Sequence, residues 1–118
     1  MNLLDTGVII EMLHEKRHES GAISIISLIE VLRGIEDRKR PKAKQLLEDS
    51  FDLLSIDNPV IETYCSLYDR LRDIGTPVPD ADLLIAATAI TNDIELKTKD
   101  AHFKRLKKLG LKLAKALK

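Results

Sequence analysis

Four acidic residues carry the chemical content of this sequence. Asp82 lies in PDADLLIAATAI, residues 79–90, in the first turn of a helix that is apolar almost all round. Such a helix belongs in a core, and a carboxylate beside it is costly unless something neutralises it. Asp5 (in LLDTG), Glu30 (in ISLIEVLRG) and Asp100 (in LKTKD) occupy comparable settings. Brought together, the four would repel one another, and a bound cation would be needed to hold them. Oxygen-only ligands point to a hard ion, Mg²⁺ or Mn²⁺, which keeps several waters and needs few carboxylates. The reading is that the four meet in one pocket around a divalent metal.

The elements around these residues are short and alternate. Met1–Leu4 reads as a strand, broken by Asp5-Thr6-Gly7, with a helical pattern from Val8 (Ile9, Met12, Leu13). After a polar loop at 15–21, residues 22–26 form a second strand candidate and 27–35 a helix with the stripe Leu28, Val31, Leu32 and Ile35. Pro41 starts a third helix, residues 51–56 a third strand, and Asp57-Asn58-Pro59 a long helix ending at Gly75. The buried helix follows an extended connector at 76–79. Residues 94–98 make a fourth strand, Asp100 opens an amphipathic helix (Phe103, Leu106, Leu109), and Leu111, Leu113 and Ala114 read as a last short strand. This alternation predicts an α/β layered fold with a short, mostly parallel central sheet, in one domain spanning 1–118.

Asp5, Asp82 and Asp100 then fall at strand-to-helix junctions. In an open parallel sheet those junctions line the carboxyl edge, where ligands bind. A helix N-terminus favours each ionised carboxylate by roughly 0.3–1 kcal/mol, too little to offset their crowding. Taken singly, each acid also has an ordinary structural reading. Asp5 and Asp100 can be caps, Asp82 a first-turn acid, and Glu30, about 200° from Leu28 at 100° per residue, a solvent-facing helix residue. Spacing alone leaves open whether the four converge.

Other chemistries find less support. His14 and His18 lack the glutamate of a zinc-protease helix, and His102 reads as a surface residue. One cysteine, Cys65, excludes an internal disulfide and a cysteine-cluster zinc site, and suits a reducing compartment. It reads as a small buried hydrophobe in a helical stripe. Only 3% of residues are aromatic, so platforms that stack single-stranded bases are not expected. No run approaches the roughly 18 apolar residues of a membrane span, and no signal pattern opens the chain, so a cytoplasmic protein is expected. Net charge is zero, yet residues 97–118 hold nine Lys or Arg against one acid. That basic end is either a solvated face or a track for a phosphate backbone.

Together the motifs resemble the PIN-domain family of metal-dependent ribonucleases, in particular the VapC-type toxins of toxin–antitoxin pairs. LLDTGVI is similar to the family's opening LLDTNVL. ISLIEVLRG resembles its second motif, a glutamate with a glycine four positions on. PDADLLIAATAI resembles the third, and LKTKDAHF the fourth. The resemblance covers essentially the whole chain. It implies a three-layer α/β/α sandwich with Asp5, Glu30, Asp82 and Asp100 as the metal-binding, catalytic quartet and Thr6 and Thr98 in support. It further implies metal-assisted hydrolysis of RNA, with Asp82 and Asp100 holding or activating the attacking water. Expected partners are the RNA substrate, a VapB-type antitoxin that inserts a basic residue into the acidic pocket, and a second copy of the chain. The helix over 60–74 is a candidate dimer face. Lys97, Lys99, Lys104, Lys107 and Lys108 are candidate RNA contacts. Two positions depart from the pattern: Gly7 replaces an asparagine, and Lys97 replaces an apolar strand residue, as on an edge strand or at a phosphate contact.

Two other readings compete. Asp5-Thr6-Gly7 also looks like the Asp-Thr-Gly of aspartic proteases. Those are nearly all β, however, and this chain shows five or more helical stripes. The alternative within the family is a catalytically silent PIN-like module that binds RNA or a partner, which would be marked by loss of one of the acids. All four are present.

Overall fold

In a computed structural model that describes residues 1–115, four three-residue strands form one sheet. They are β1 (Asn2–Leu4), β2 (Ala22–Ser24), β3 (Asp52–Leu54) and β4 (Glu95–Lys97), in the order β3-β2-β1-β4. Every pairing is parallel, with Leu3 opposite Ala22 and Leu96, and Ile23 opposite Leu53. Helices connect and cover the strands: α1 (Thr6–Glu15), α2 (Ile25–Arg33), α3 (Arg40–Ser50), α4 (Asn58–Asp73) and α5 (Asp80–Thr91).

Alternation along the strands divides the core in two. Leu3 and Ala22 face a cluster built with Val60, Leu67, Leu71, Leu83 and Phe103. Their neighbours Leu4 and Ile23 face the opposite way, into Val8, Ile9, Met12, Leu28, Val31 and Leu47. Side chains two apart share a face and adjacent ones do not, so the sheet is a middle layer between α4 and α5 on one side and α1, α2 and α3 on the other. This is the expected three-layer sandwich.

The chain winds outward from β1 to β2 and β3, then returns to place β4 on the other flank of β1. Strand order therefore reverses at β1, the position where open parallel sheets form a crevice at the carboxyl ends. Asp5 stands there, its amide donating to Lys97 O at 3.0 Å. Close strand packing explains Gly21, where a Cβ would lie 2.9 Å from Asn2 O.

α5 is buried as its composition predicts, with Leu83, Ile85, Ala86, Ala87, Thr88 and Ala89 all inside. The Thr88 hydroxyl donates to Leu84 O at 2.8 Å, which satisfies its polar atom within the core. No helix among the described residues is long and apolar enough to cross a membrane.

The structure corrects several expectations. α2 begins at Ile25, because Ser24 caps it by accepting from the Ser27 amide at 3.0 Å. The helix expected after Asp100 is present over Ala101–Leu109 and winds as a 3-10 helix. The expected last strand is reduced to one bridge, Leu96 to Leu113. Cys65 is exposed. In α4 only Val60, Leu67 and Leu71 are buried, and Cys65 points away from them, while Tyr68 and Ile74 are about half exposed. β4 is the outer strand on its side of the sheet, which accounts for Lys97.

Candidate active site

Asp5, Glu30, Asp82 and Asp100 line one open cavity of about 500 Å³, together with Thr6, Gly7, Ile10, Arg33 and Lys99. Three elements deliver the aspartates by their N-termini. Asp5 is the N-cap of α1, its Oδ1 accepting from the Thr6 amide at 2.8 Å. Asp82 lies in the first turn of α5. Asp100 caps the 3-10 helix by accepting from the His102 amide at 2.9 Å, and the His102 ring nitrogen Nδ1 lies 3.0 Å from the same oxygen.

Glu30 comes from the middle of α2, and here the pattern misled. Its side chain is 20% exposed rather than solvent-facing, because the side of α2 opposite the Leu28 stripe faces the cavity rather than bulk water. Glu30 Oε1 accepts from the Thr6 hydroxyl at 2.6 Å, and Arg33 approaches Oε2 at 3.8 Å.

Two threonines tie the carboxylates to the frame. Thr98 Oγ1 donates to Asp5 Oδ2 at 2.6 Å and accepts from the Asp100 amide at 3.0 Å, so one hydroxyl spans two of the acids. Thr6 serves Glu30. Asp80, at the start of α5, accepts from the Tyr64 hydroxyl at 2.7 Å and fixes that end of the helix to α4.

The electrostatics are those of a crowded acidic site. Burial, foremost, pushes the Asp5 carboxyl above its ordinary value; Asp100 and Glu30 add to the rise, while bonds from Thr98 and Thr6 oppose it. Asp82 is also raised, by burial first and then by Asp5, Asp100 and Glu30. Unlike a structural salt bridge, this arrangement leaves negative charge under-compensated, a state associated with functional sites.

Among the described residues, no three His, Cys, Asp or Glu side chains stand close enough to enclose an ion by themselves. Zinc, which takes most of its ligands from protein, does not fit that spacing. A magnesium ion retains several waters and needs only one or two direct carboxylates. Spaced carboxylates around an open, oxygen-lined cavity fit it.

The basic candidates divide. Lys97 Nζ pairs with Glu19 at 2.5 Å, beside Arg17, so a phosphate contact there would require an exchange of partners. Lys99 lines the acidic cavity and pairs with Glu11, yet its side chain is 69% exposed. Lys104, Lys107 and Lys108 are exposed on the 3-10 helix. Arg33 and Ser27, which the sequence pattern did not single out as functional, belong to the site's surroundings. A serine inside the apolar run AISIISLIE was the available signal for Ser27.

A model of the PIN domain family matches residues 3–109. Over 115 residues the chain is 38% identical to "Ribonuclease VapC1" of Methanocaldococcus jannaschii, covering 94% of this chain and 85% of that protein. Its structure is similar to that of VapBC-1 from nontypeable Haemophilus influenzae, with a TM-score of 0.81, 21% identity and 96% of each chain covered. It is also similar to VapBC-5 of Mycobacterium tuberculosis, described as a member of the VapBC family of toxin-antitoxin systems, with a TM-score of 0.72, 25% identity and 98% of each chain covered.

Proposed function

This chain belongs to the PIN-domain family, and we propose that it is a divalent-metal-dependent endoribonuclease, the toxin of a toxin–antitoxin pair. The observation that carries this reading is the meeting of Asp5, Glu30, Asp82 and Asp100 around one cavity at the point where strand order reverses. The name of the curated relative supports RNA as the substrate. Asp5, Glu30, Asp82 and Asp100 would hold Mg²⁺ or Mn²⁺, one or two of them directly and the others through the waters the ion retains. Bound there, the ion supplies positive charge against the charge that develops on the phosphoryl and leaving oxygens.

The chain's own residues do the rest. Thr98 holds Asp5 in one orientation and Thr6 holds Glu30. Asp82 accepts the proton of the water that attacks phosphorus. Asp100, itself fixed by the His102 amide, orients that water. Lys99 at the cavity and Lys104, Lys107 and Lys108 beyond it would track the RNA backbone by charge, with Lys97 available on release from Glu19.

The whole of 1–118 would act as one domain in the cytoplasm. A VapB-type antitoxin would cover the cavity and place a basic side chain among the carboxylates; the toxin-antitoxin description of VapBC-5 supports such a partner. A homodimer would form on α4 and its C-cap, where Ile61, Tyr68 and Ile74 are about half exposed.

Inducible expression tests the reading. The parent chain should arrest growth, while Asp5→Asn and Asp82→Asn should not. Variants as toxic as the parent would favour the alternative, a catalytically silent module that acts by binding.

A further inference from the structure

Behind the cavity, two buried serines sit at the junction of β2 and α2. Ser24 and Ser27 are both fully inaccessible. Ser24 has a plain structural task, accepting from the Ser27 amide as the helix cap. The Ser27 hydroxyl has a different partner. Its Oγ lies 3.0 Å from Thr6 Oγ1, 21 residues away and on another helix.

Proton counting sets the direction of that contact. A hydroxyl owns one proton and can accept as well. Thr6 Oγ1 lies 2.6 Å from Glu30 Oε1, and an ionised carboxylate only accepts. The Thr6 proton is therefore committed to Glu30, and its oxygen must accept from Ser27. The chain of donation runs from Ser27 to Thr6 to Glu30. Within such a chain each bond polarises the next, and the Thr6 rotor, gripped at both ends, keeps one orientation.

We propose that Ser27 is a positioning residue of the active site, which fixes the Glu30 carboxylate through Thr6 without touching metal or substrate. The proposal deepens the nuclease reading and rests on it for its consequence in catalysis. The geometry explains why the relay is needed. Glu30 has few restraints of its own: among the described residues it meets only Arg33 on the solvent side, at 3.8 Å, and that arginine side chain is 73% exposed. Without the inner relay, the carboxylate is free to follow the exposed arginine out of the cavity. Residues that orient metal ligands from behind typically change metal affinity or activity about 10–100-fold when removed; one hydroxyl further out, a change of about tenfold is expected.

Two variants separate donation from packing. Ser27→Ala removes the donor. Ser27→Cys retains a side chain of similar shape but is a poor donor. In each, Glu30 rotamers are read by NMR from the three-bond couplings of its Hα and Hβ protons, in the metal-free full chain. The proposal predicts one rotamer in the parent and averaging in both variants, with the Mn²⁺ concentration for half-maximal RNA cleavage raised about tenfold. Parent-like couplings in Ser27→Cys would assign Ser27 to packing and overturn the proposal. The couplings decide this even if the parent cuts no RNA with Mn²⁺, an outcome that would instead remove the nuclease reading.

Discussion

Replacing Thr98 by valine keeps the shape of a β-branched residue and removes the one hydroxyl that joins two of the acids. Two hydrogen bonds go: to Asp5 Oδ2 at 2.6 Å and from the Asp100 amide at 3.0 Å. A bond to a charged group contributes about 1.5–3 kcal/mol and a neutral one about 0.5–1.5 kcal/mol. Asp5 is buried and Asp100 exposed, so the first bond carries most of the loss and the amide regains water. A total near 2 kcal/mol follows, or roughly 6–10 °C in Tm for a chain of this size. The loss should depend on pH. Thr98 favours ionised Asp5, whose carboxyl stands above its usual 3.8 in the folded chain. The bond therefore contributes fully at about pH 7 and progressively less as pH falls through that raised value. At or below the ordinary value of 3.8, where a carboxyl raised above it is mostly neutral, the deficit should shrink by about 1 kcal/mol, the difference between a charged and a neutral bond. Urea unfolding of parent and variant across this range, followed by circular dichroism, reads the difference directly. A deficit that stays constant with pH would refute the assignment of Thr98 to ionised Asp5.

Further perturbations probe other parts of the account. Asp82→Asn should stabilise the metal-free chain by roughly 0.5–1 kcal/mol above the raised Asp82 value, after screening of a partly exposed group, and should give no gain at low pH; thermal melts check it. Arg40→Ala should cost about 1–2 kcal/mol in urea unfolding, because its guanidinium donates to Leu32 O at 3.0 Å in the last turn of α2 and to Ile35 O at 2.9 Å just past its end. Reversing charge at Lys104, Lys107 and Lys108 should weaken RNA binding and lower the slope of log affinity against log salt by about 2, measured by filter binding. Gly7→Asn should shift stability by less than about 0.5 kcal/mol, since a Cβ at Gly7 meets nothing within 4 Å.

The sequence made the frame legible where a residue's environment is set locally. The apolar run of α5 could only be buried, and the caps at Asp5 and Asp100 lie where short strands end. Elements whose fate depends on distant partners were harder to read. Glu30 looks solvent-facing on a helical wheel, because the wheel cannot tell water from a cavity lined by α1 and α5. Cys65 looks like core, because its helix packs along a stripe of only three buried side chains. The tail at Leu111–Ala114 has the alternation of a strand, yet it meets β4 through a single bridge. Ser27 became visible only when α2 was placed against Thr6, a contact 21 residues apart in sequence.

Incubation of metal-free protein with a pool of structured RNAs, with and without Mn²⁺ and beside Asp82→Asn, tests the acid cavity most directly. The account predicts cleavage that requires the metal and is absent from the variant. Cleavage that persists in Asp82→Asn would contradict it and place the chemistry elsewhere.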